Sequence, residues 1–202
     1  MTPRLFLIAC TIIVTSVLAG LFLPQDGSTS QQATAGDEQN ATNTPVATTS
    51  IPAATMTRPD FQLPDISGKV RHIKEWDNNI VVLNFWATWC QPCLHEIPAF
   101  NKLHAKYQDQ GVTFLGVAAN DQEEIERFLK ILPISYPVLI GGEWQAYEIA
   151  ETFGNIYSVI PYTVFISANG DIHSSIAGTL SEQQTEDILK TLLSTKNDHN
   201  KS

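Results

Sequence analysis

VLNFWATWCQPC is the sequence of residues 82–93, and this stretch decides the fold. Residues 80–86 are almost all apolar and rich in β-branched side chains, which predicts a central strand buried on both faces. Residues 92–108 then repeat apolar side chains at helical spacing, although Pro98 should kink that helix. The stretch is therefore a strand that leads into a helix, with two cysteines at the junction.

The two cysteines, Cys90 and Cys93, lie where the helix begins. Free backbone amides and the helix dipole stabilise a thiolate at such a position, so Cys90 is the expected nucleophile. Cys93, one turn deeper, can attack a mixed disulfide formed at Cys90 and release the reduced substrate. Pro92 suits the first turn because its missing amide would have no helical partner there.

Two other uses of the cysteine pair are a structural disulfide and half of a zinc site. A zinc site needs about four ligands, and apart from His95 no further Cys or His cluster stands near the pair. A bridge across two intervening residues closes a very short loop and adds little stability through chain entropy. Redox chemistry is therefore the favoured interpretation, and neither a metal nor another cofactor is expected.

Strands and helices alternate along the chain from residue 60 onwards. Residues 61–73 alternate apolar and polar side chains around a turn at residues 65–68, as a short hairpin does. The pattern further predicts strands at residues 112–119, 138–140, 162–167 and 172–177, and helices after Asp121 and at residues 145–153 and 181–193. A strand, a helix and a parallel strand form a right-handed crossover, so the fold class is α/β.

Over residues 59–193 the chain resembles the thioredoxin superfamily, and within it the membrane-anchored TlpA-like and ResA-like thiol-disulfide reductases. Residues 82–93, followed by the acidic and proline residues of 96–98, carry the resemblance. It implies a thioredoxin-like fold: a central mixed β-sheet flanked by helices, with an extra N-terminal β-hairpin. It also implies that Pro161 follows a cis peptide bond and faces the cysteines, so that the backbone of Ile160 can pair with an extended substrate.

One position departs from thioredoxin itself. Asn84 stands where thioredoxin has a buried acid below the cysteines, and an amide cannot take up a proton. Glu96, one helical turn beyond Cys93, resembles the acidic residue that reductases of this group use, and we assign it as the acid/base residue. The alternative is an ordinary solvated helix glutamate. Trp89 flanks Cys90 and is a further candidate for contact with substrate.

The N-terminal part of the chain has a different character. Residues 5–23 carry no charge, and as a helix they would reach ~28 Å, close to the hydrocarbon thickness of a bilayer. With Arg4 before this segment and acidic residues after it, we expect the remainder to be exported. A cleaved secretory signal is the alternative, and it would export the domain too. We assign a membrane anchor or uncleaved signal to residues 1–23, a flexible Thr/Ser/Ala-rich linker to 24–58, the thioredoxin-like domain to 59–194 and a polar tail to 195–202.

Charge and family resemblance together limit the function. The chain has 12 Lys and Arg against 21 Asp and Glu, which argues against nucleic acid as a partner. The expected enzyme is a single-pass membrane protein with its catalytic domain outside the cytoplasm, in the periplasm or at the cell exterior. It would reduce exported disulfide proteins, apocytochrome c among them, and regain electrons from a membrane thiol donor. A disulfide-donating oxidant, a peroxide reductase and a non-enzymatic binding module are the alternatives.

Overall fold

The computed structural model describes residues 56–199, in which strands and helices alternate. The strands are β1 (Gln62–Pro64), β2 (Val70–His72), β3 (Ile80–Trp86), β4 (Val112–Ala118), β5 (Val138–Ile140), β6 (Tyr162–Ile166) and β7 (Ile172–Ala177). The helices are α1 (Gln91–Tyr107), α2 (Gln122–Leu129), α3 (Gly142–Thr152) and α4 (Glu182–His199), with short 3-10 helices at Ile73–Trp76 and Gln108–Gln110.

Five strands form the central sheet, in the order β5-β4-β3-β6-β7. β3, β4 and β5 are parallel, whereas β6 is antiparallel to β3 and β7 is antiparallel to β6. β1 and β2 form a separate antiparallel hairpin before this sheet. The predicted fold class is thereby confirmed: a mixed sheet with helices and an additional N-terminal hairpin.

The central strand β3 is buried along its whole length, as the apolar run predicts. On one face, Val82 belongs to a core that includes Phe100 of α1 and Leu189 of α4. On the other face, Leu83 belongs to a core that includes Ile149 of α3. Burying each such side chain stabilises the fold by roughly 1.5–3 kcal/mol, so this strand fixes the layers between which the cysteines are held.

The turn of the hairpin is organised by one carboxylate. Oδ1 of Asp65 accepts hydrogen bonds from the backbone N–H groups of Ser67 at 2.9 Å and Lys69 at 3.2 Å. Asp65 also forms an isolated antiparallel bridge with Leu139 in β5. The hairpin is therefore attached to the edge of the central sheet.

The first described residues pair with the turn between β6 and β7. The backbone N–H of Ile172 donates to the carbonyl of Met56 at 2.8 Å. Because β6 runs antiparallel to β3, with Ile166 opposite Val81, this turn lies beside the beginning of β3. The cysteines follow the other end of β3, so residues 56–58 meet the domain at the end of the sheet remote from the redox pair.

Three boundaries differ from the sequence prediction. α4 continues through residues 195–199, which were assigned to the tail, because extending an existing helix adds a hydrogen bond for each residue fixed. Residues 56–58, assigned to the linker, pair with the chain at residues 170–172. α3 begins at Gly142, and its N-cap has no side-chain hydrogen bond that a sequence pattern could reveal.

Within residues 56–199, no helix combines the length and the apolar character needed to cross a membrane. The membrane anchor assigned to residues 1–23 and nearly all of the linker assigned to residues 24–58 lie outside the described residues. The anchor and its orientation therefore stay predictions.

Candidate active site

Cys90 and Cys93 are joined by a disulfide at the N-terminus of α1. Cys90 is the N-cap residue with an extended backbone, and its Sγ accepts a hydrogen bond from the backbone N–H of Cys93 at 3.3 Å. Pro92 lies in the first turn, as predicted. Cys90 is 5% exposed and Cys93 1% exposed, so Cys90 is the sulfur nearer to the surface. The helix places a sulfur next to free backbone N–H groups, where a thiolate is stabilised.

The loop that leads into Cys90 is held from a neighbouring strand. Oδ1 of Asn120, a buried residue just beyond β4, accepts a hydrogen bond from the Thr88 backbone N–H at 2.8 Å. The Asn120 side-chain amide donates in turn to Glu124 of α2 at 2.9 Å. Trp89, between Thr88 and Cys90, is 61% exposed. Its ring therefore stands at the surface beside the disulfide, where it can contact a partner.

The peptide bond between Ile160 and Pro161 is cis, as the family resemblance implies. Pro161 immediately precedes β6, whose first residue, Tyr162, pairs with Phe85 near the end of β3. This register brings Pro161 to the same end of the sheet as the cysteines. Ile160 precedes β6 and lies outside its ladder, in the position where an extended chain could pair with its backbone.

A buried asparagine fixes the loop before the cis bond. The side chain of Asn155 donates to the Val159 carbonyl at 2.8 Å and accepts from the Val159 N–H at 3.0 Å. Four apolar side chains on the loops that lead into Cys90 and into Pro161 are exposed, and we call them the apolar rim: Trp89, Ile156, Tyr157 and Val159. Exposed apolar side chains gathered at a reactive site are typical of a surface that docks a protein or peptide.

Glu96 lies inside the protein, with 1% of its surface exposed. Its Oε1 accepts a hydrogen bond from the backbone N–H of Leu180, and its Oε2 has no protein partner. Burial raises the pKa of Glu96 to about 7, and the Leu180 amide and the nearby Asn84 carboxamide partly oppose that rise. The alternative of a solvated surface glutamate is therefore wrong. A buried carboxyl that titrates near neutrality, one turn beyond Cys93, is suited to accept and return a proton.

The Asn84 side chain lies between Glu96 and the neighbouring strand β6. Its side-chain amide donates to Oγ1 of Thr163 on the neighbouring strand β6 at 2.9 Å, and both residues are buried. Glu96 is thus the carboxyl that occupies the interior beside the pair. His95 is exposed, and within residues 56–199 no group of three or more His, Cys, Asp or Glu side chains could hold a metal ion.

Sequence reasoning missed the two asparagines that hold the loops of the site. Asn120 stands at the end of a predicted strand and Asn155 follows a glycine, and both positions are ordinary for a turn residue. Their partners are Thr88 and Val159, and a local sequence pattern carries no information about the first pairing, which spans 32 residues. The role of Leu180, whose backbone N–H meets Glu96, also depends on a contact between distant parts of the chain.

Comparison with known proteins agrees with this site. Residues 55–175 match the AhpC/TSA family. The thiol-disulfide oxidoreductase ResA of Geobacillus thermodenitrificans (strain NG80-2) is 32% identical over 139 residues, covering 67% of this chain and 76% of the relative. ResA of Bacillus cereus (strain ATCC 10987 / NRS 248) is 34% identical over 137 residues, covering 66% of this chain and 75% of the relative.

Solved structures show the same architecture. A thiol:disulfide interchange protein of the thioredoxin family from Chlorobium tepidum TLS superimposes with a TM-score of 0.61 at 28% identity, covering 70% of this chain and 98% of that one. A putative thiol:disulfide interchange protein DsbE from Chlorobium tepidum gives a TM-score of 0.63 at 25% identity, covering 69% and 96%. The chain therefore belongs to the AhpC/TSA family and is a thiol-disulfide oxidoreductase with a thioredoxin-like fold.

Proposed function

We propose that this oxidoreductase reduces disulfides in exported proteins, apocytochrome c among its substrates, and regains its electrons from a membrane thiol donor. One observation carries the proposal: Cys90 and Cys93 form a disulfide at the start of α1, one turn before a buried carboxyl with a pKa of about 7. This arrangement supplies a nucleophile, a resolving thiol and a group that can exchange a proton with that thiol.

The first half of the reaction takes place at Cys90. In the reduced protein its thiolate attacks one sulfur of the substrate disulfide, which forms a mixed disulfide and releases the other substrate sulfur as a thiolate. The backbone N–H of Cys93, which already meets Sγ of Cys90, is placed to stabilise the attacking thiolate.

The second half uses Cys93 and Glu96. The Cys93 thiol gives its proton to the Glu96 carboxylate and attacks Sγ of Cys90, which releases the second substrate thiolate and forms the Cys90–Cys93 disulfide. Two electrons have then passed to the substrate. When a donor dithiol reduces the pair again, Glu96 returns the proton to the Cys93 thiolate as it leaves.

The surroundings of the pair favour a protein substrate over a small molecule. The apolar rim offers four exposed side chains on the loops before Cys90 and Pro161, and Ile160 stands where an extended chain can add to the end of the sheet. Apolar contact surface plus backbone pairing is a recurring way of binding an unfolded peptide segment. An apoprotein that has not yet folded around its cofactor would present such a segment.

The proposed location depends on the N-terminal sequence. We propose that residues 1–23 anchor the protein in the cell membrane and that residues 24–58 act mainly as a linker, with the catalytic domain outside the cytoplasm. As a random coil, the residues of this linker that precede residue 56 would have an r.m.s. span of about 30 Å. That reach lets one domain meet both a donor in the membrane and a substrate beyond it.

The reduction potential of the Cys90–Cys93 pair tests the direction of electron flow. Equilibration with glutathione or dithiothreitol buffers should give a value near or below about −270 mV, the range of thioredoxin. A value near about −120 mV would overturn the reductase in favour of a disulfide-donating oxidant.

A trapping experiment tests the substrate class. Cys93→Ala should accumulate mixed disulfides between Cys90 and exported proteins, because the resolving thiol is gone. Cys90→Ala is the matched control and should trap none. If Cys93→Ala traps no exported protein, the proposed substrate class is wrong, and if apocytochrome c is absent from the trapped set, that substrate is excluded.

A further inference from the structure

Oε2 of Glu96 is one of several buried polar atoms without a protein partner among the described residues. Among residues 56–199, five buried side-chain atoms lack a hydrogen-bond partner: Trp86 Nε1, Glu96 Oε2, His104 Nδ1, the Tyr136 hydroxyl and Ser174 Oγ. Leaving a buried polar atom unpaired costs about 1–3 kcal/mol, so several together require an explanation. Trp86 Nε1 and the Tyr136 ring both lie beside Gly116 of β4, and the His104 ring lies beside the Tyr136 ring.

Gly116 of β4 makes room for two of these groups. It pairs with Asn84 of β3 on one side and Val138 of β5 on the other. A Cβ atom built on Gly116 would lie 2.9 Å from Nε1 of Trp86 and 3.5 Å from Cε2 of Tyr136. The missing side chain therefore lets the indole and the phenol approach each other beside Asn84, the residue next to Glu96.

Tyr136 lies beside His104 and within electrostatic reach of Glu96. Glu96 and His104 are eight positions apart on α1, which places them about 12 Å apart along the helix axis and about 80° apart around it. The Tyr136 ring lies 6.0 Å from the His104 ring, measured between centroids. At its other end, Tyr136 is close enough to Glu96 that the carboxylate charge adds to burial in raising the pKa of the phenol.

Few titratable groups face Glu96 from the elements around it. α1 contributes the cysteine pair and, further along, His104, and the segment before β5 contributes Tyr136. The neighbouring strands β3 and β6 contribute the neutral Asn84–Thr163 pair, and the residues before α4 contribute a backbone N–H. His104 is half-buried, and burial lowers its pKa, so its imidazole is neutral near pH 7.

We propose that Tyr136 and His104 are positioning residues of the redox site, which enclose a hydrated polar chamber with Trp86 and Glu96. A buried water needs two to four polar partners, so the network takes more than one water: Oε2 of Glu96 and the Tyr136 hydroxyl are partners for one, and the Tyr136 hydroxyl and Nδ1 of His104 for the next. Water held there links Oε2 of Glu96 to the Tyr136 hydroxyl and onward to His104. The network stabilises the Glu96 carboxylate and so sets the pH at which Glu96 can take the Cys93 proton; this last consequence rests on the proposed function.

The test is the titration of the Glu96 carboxyl carbon by NMR in the oxidised protein. Tyr136→Phe removes one hydroxyl and should raise the Glu96 pKa by about one pH unit, since hydrogen bonds to the charged form are lost. Tyr107→Phe is the matched control: it removes a hydroxyl that bonds Glu186 in the same α1–α4 layer and should leave Glu96 unchanged. If the pKa of Glu96 is the same in Tyr136→Phe as in the parent protein, the proposed chamber is wrong.

A second variant keeps the proposal testable if Tyr136→Phe does not fold. His104→Phe keeps a ring at the half-buried end of the network and removes Nδ1, and it should also raise the Glu96 pKa, by a smaller amount. No shift in this variant contradicts the network as well.

The rate of exchange with oxidised glutathione, followed against pH, separates this proposal from the proposed function. If the pKa of Glu96 rises in Tyr136→Phe and His104→Phe, and the pH dependence of the exchange rate shifts with it, the experiment supports both the chamber and the role of Glu96 in catalysis. If the pKa of Glu96 rises and the pH dependence of the exchange rate does not shift, the chamber is supported, but Glu96 does not exchange a proton with Cys93.

Discussion

Glu96 is an acid enclosed by the protein, and this placement couples the redox site to folding stability. Its pKa is about 7 in the folded chain, against an ordinary value of 4.5. The folded state therefore holds a proton that the unfolded state releases between these two pH values. By linkage, stability from this group is fully present below pH 4.5 and is lost as the pH rises through 7.

We predict that the oxidised protein becomes less stable by about 3 kcal/mol between pH 4.5 and pH 8 because of Glu96 alone. Urea unfolding at a series of pH values measures this slope. Glu96→Gln cannot ionise, so it should remove most of the slope and be more stable than the parent above pH 7. Equal slopes in the two proteins would show that Glu96 does not titrate near neutrality.

At the level of elements, the reactive ends of β3 and β6 are extended by loops that asparagine side chains hold in place. Asn120 joins the end of β4 to the loop before Cys90, and Asn155 closes the loop before Pro161. Both are 3% exposed. The strands and helices alone therefore do not position the loops before Cys90 and Pro161. The side-chain hydrogen bonds of Asn120 and Asn155 hold these two loops in place.

We predict that Asn120→Ala lowers the free energy of unfolding by about 1–2 kcal/mol, because the part-buried Thr88 N–H loses its acceptor. The loosened loop should also weaken the N-cap position of Cys90, destabilise its thiolate and shift the reduction potential to a more negative value. Chemical denaturation and glutathione equilibration measure the two effects.

Asn169→Ala is a control for this prediction. Oδ1 of Asn169 also accepts from loop groups, the Asp171 backbone N–H at 3.3 Å and the Ser167 hydroxyl at 2.6 Å, but Asn169 lies in the turn between β6 and β7, at the end of the sheet remote from Cys90. It should lower stability and leave the potential unchanged. If the reduction potential of the cysteine pair shifts equally in both variants, the shift comes from the general loss of stability and not from the contact between Asn120 and the loop before Cys90.

We predict that Asn155→Ala slows exchange with a peptide disulfide on the order of fivefold to tenfold, equivalent to ~1–1.4 kcal/mol. The loop would no longer hold the backbone of Val159 and Ile160 in a single conformation. A smaller fraction of collisions with the peptide would then place its disulfide next to Cys90. Oxidised glutathione, which lacks an extended chain, should react with the variant nearly as fast as with the parent. Parallel stopped-flow rates with the two disulfides test this difference, and an equal loss with both would contradict it.

At the scale of the whole molecule, the elements with strong local signals could be predicted. The apolar run of β3, the helix that follows it and the hairpin around Asp65 all follow from periodicity and turn residues. The cis bond before Pro161 required the family resemblance. Asn120, Asn155 and Tyr136 could not be assigned from the sequence, because their partners are set by tertiary packing, and α3 begins without a capping side chain.

We predict that a fragment of residues 56–199 folds independently and exchanges disulfides at the rate of the full chain. Its cores lie on both faces of β3, and residues 56–58 already pair with the domain. Thermal unfolding should be a single transition. A fragment that starts at residue 61 would lose the pairing at residues 56–58 and should melt at a lower temperature. If the longer fragment does not fold, the proposed domain boundary is wrong.

Residues 56–58 join the domain at the turn between β6 and β7, and Cys90 lies beyond the opposite end of β3. Whatever chain precedes residue 56 therefore joins the domain at one end of the sheet, and a substrate reaches Cys90 at the other end. A folded tag fused before residue 56 should then leave the rate of disulfide exchange unchanged, because the tag and the substrate would occupy opposite ends of β3.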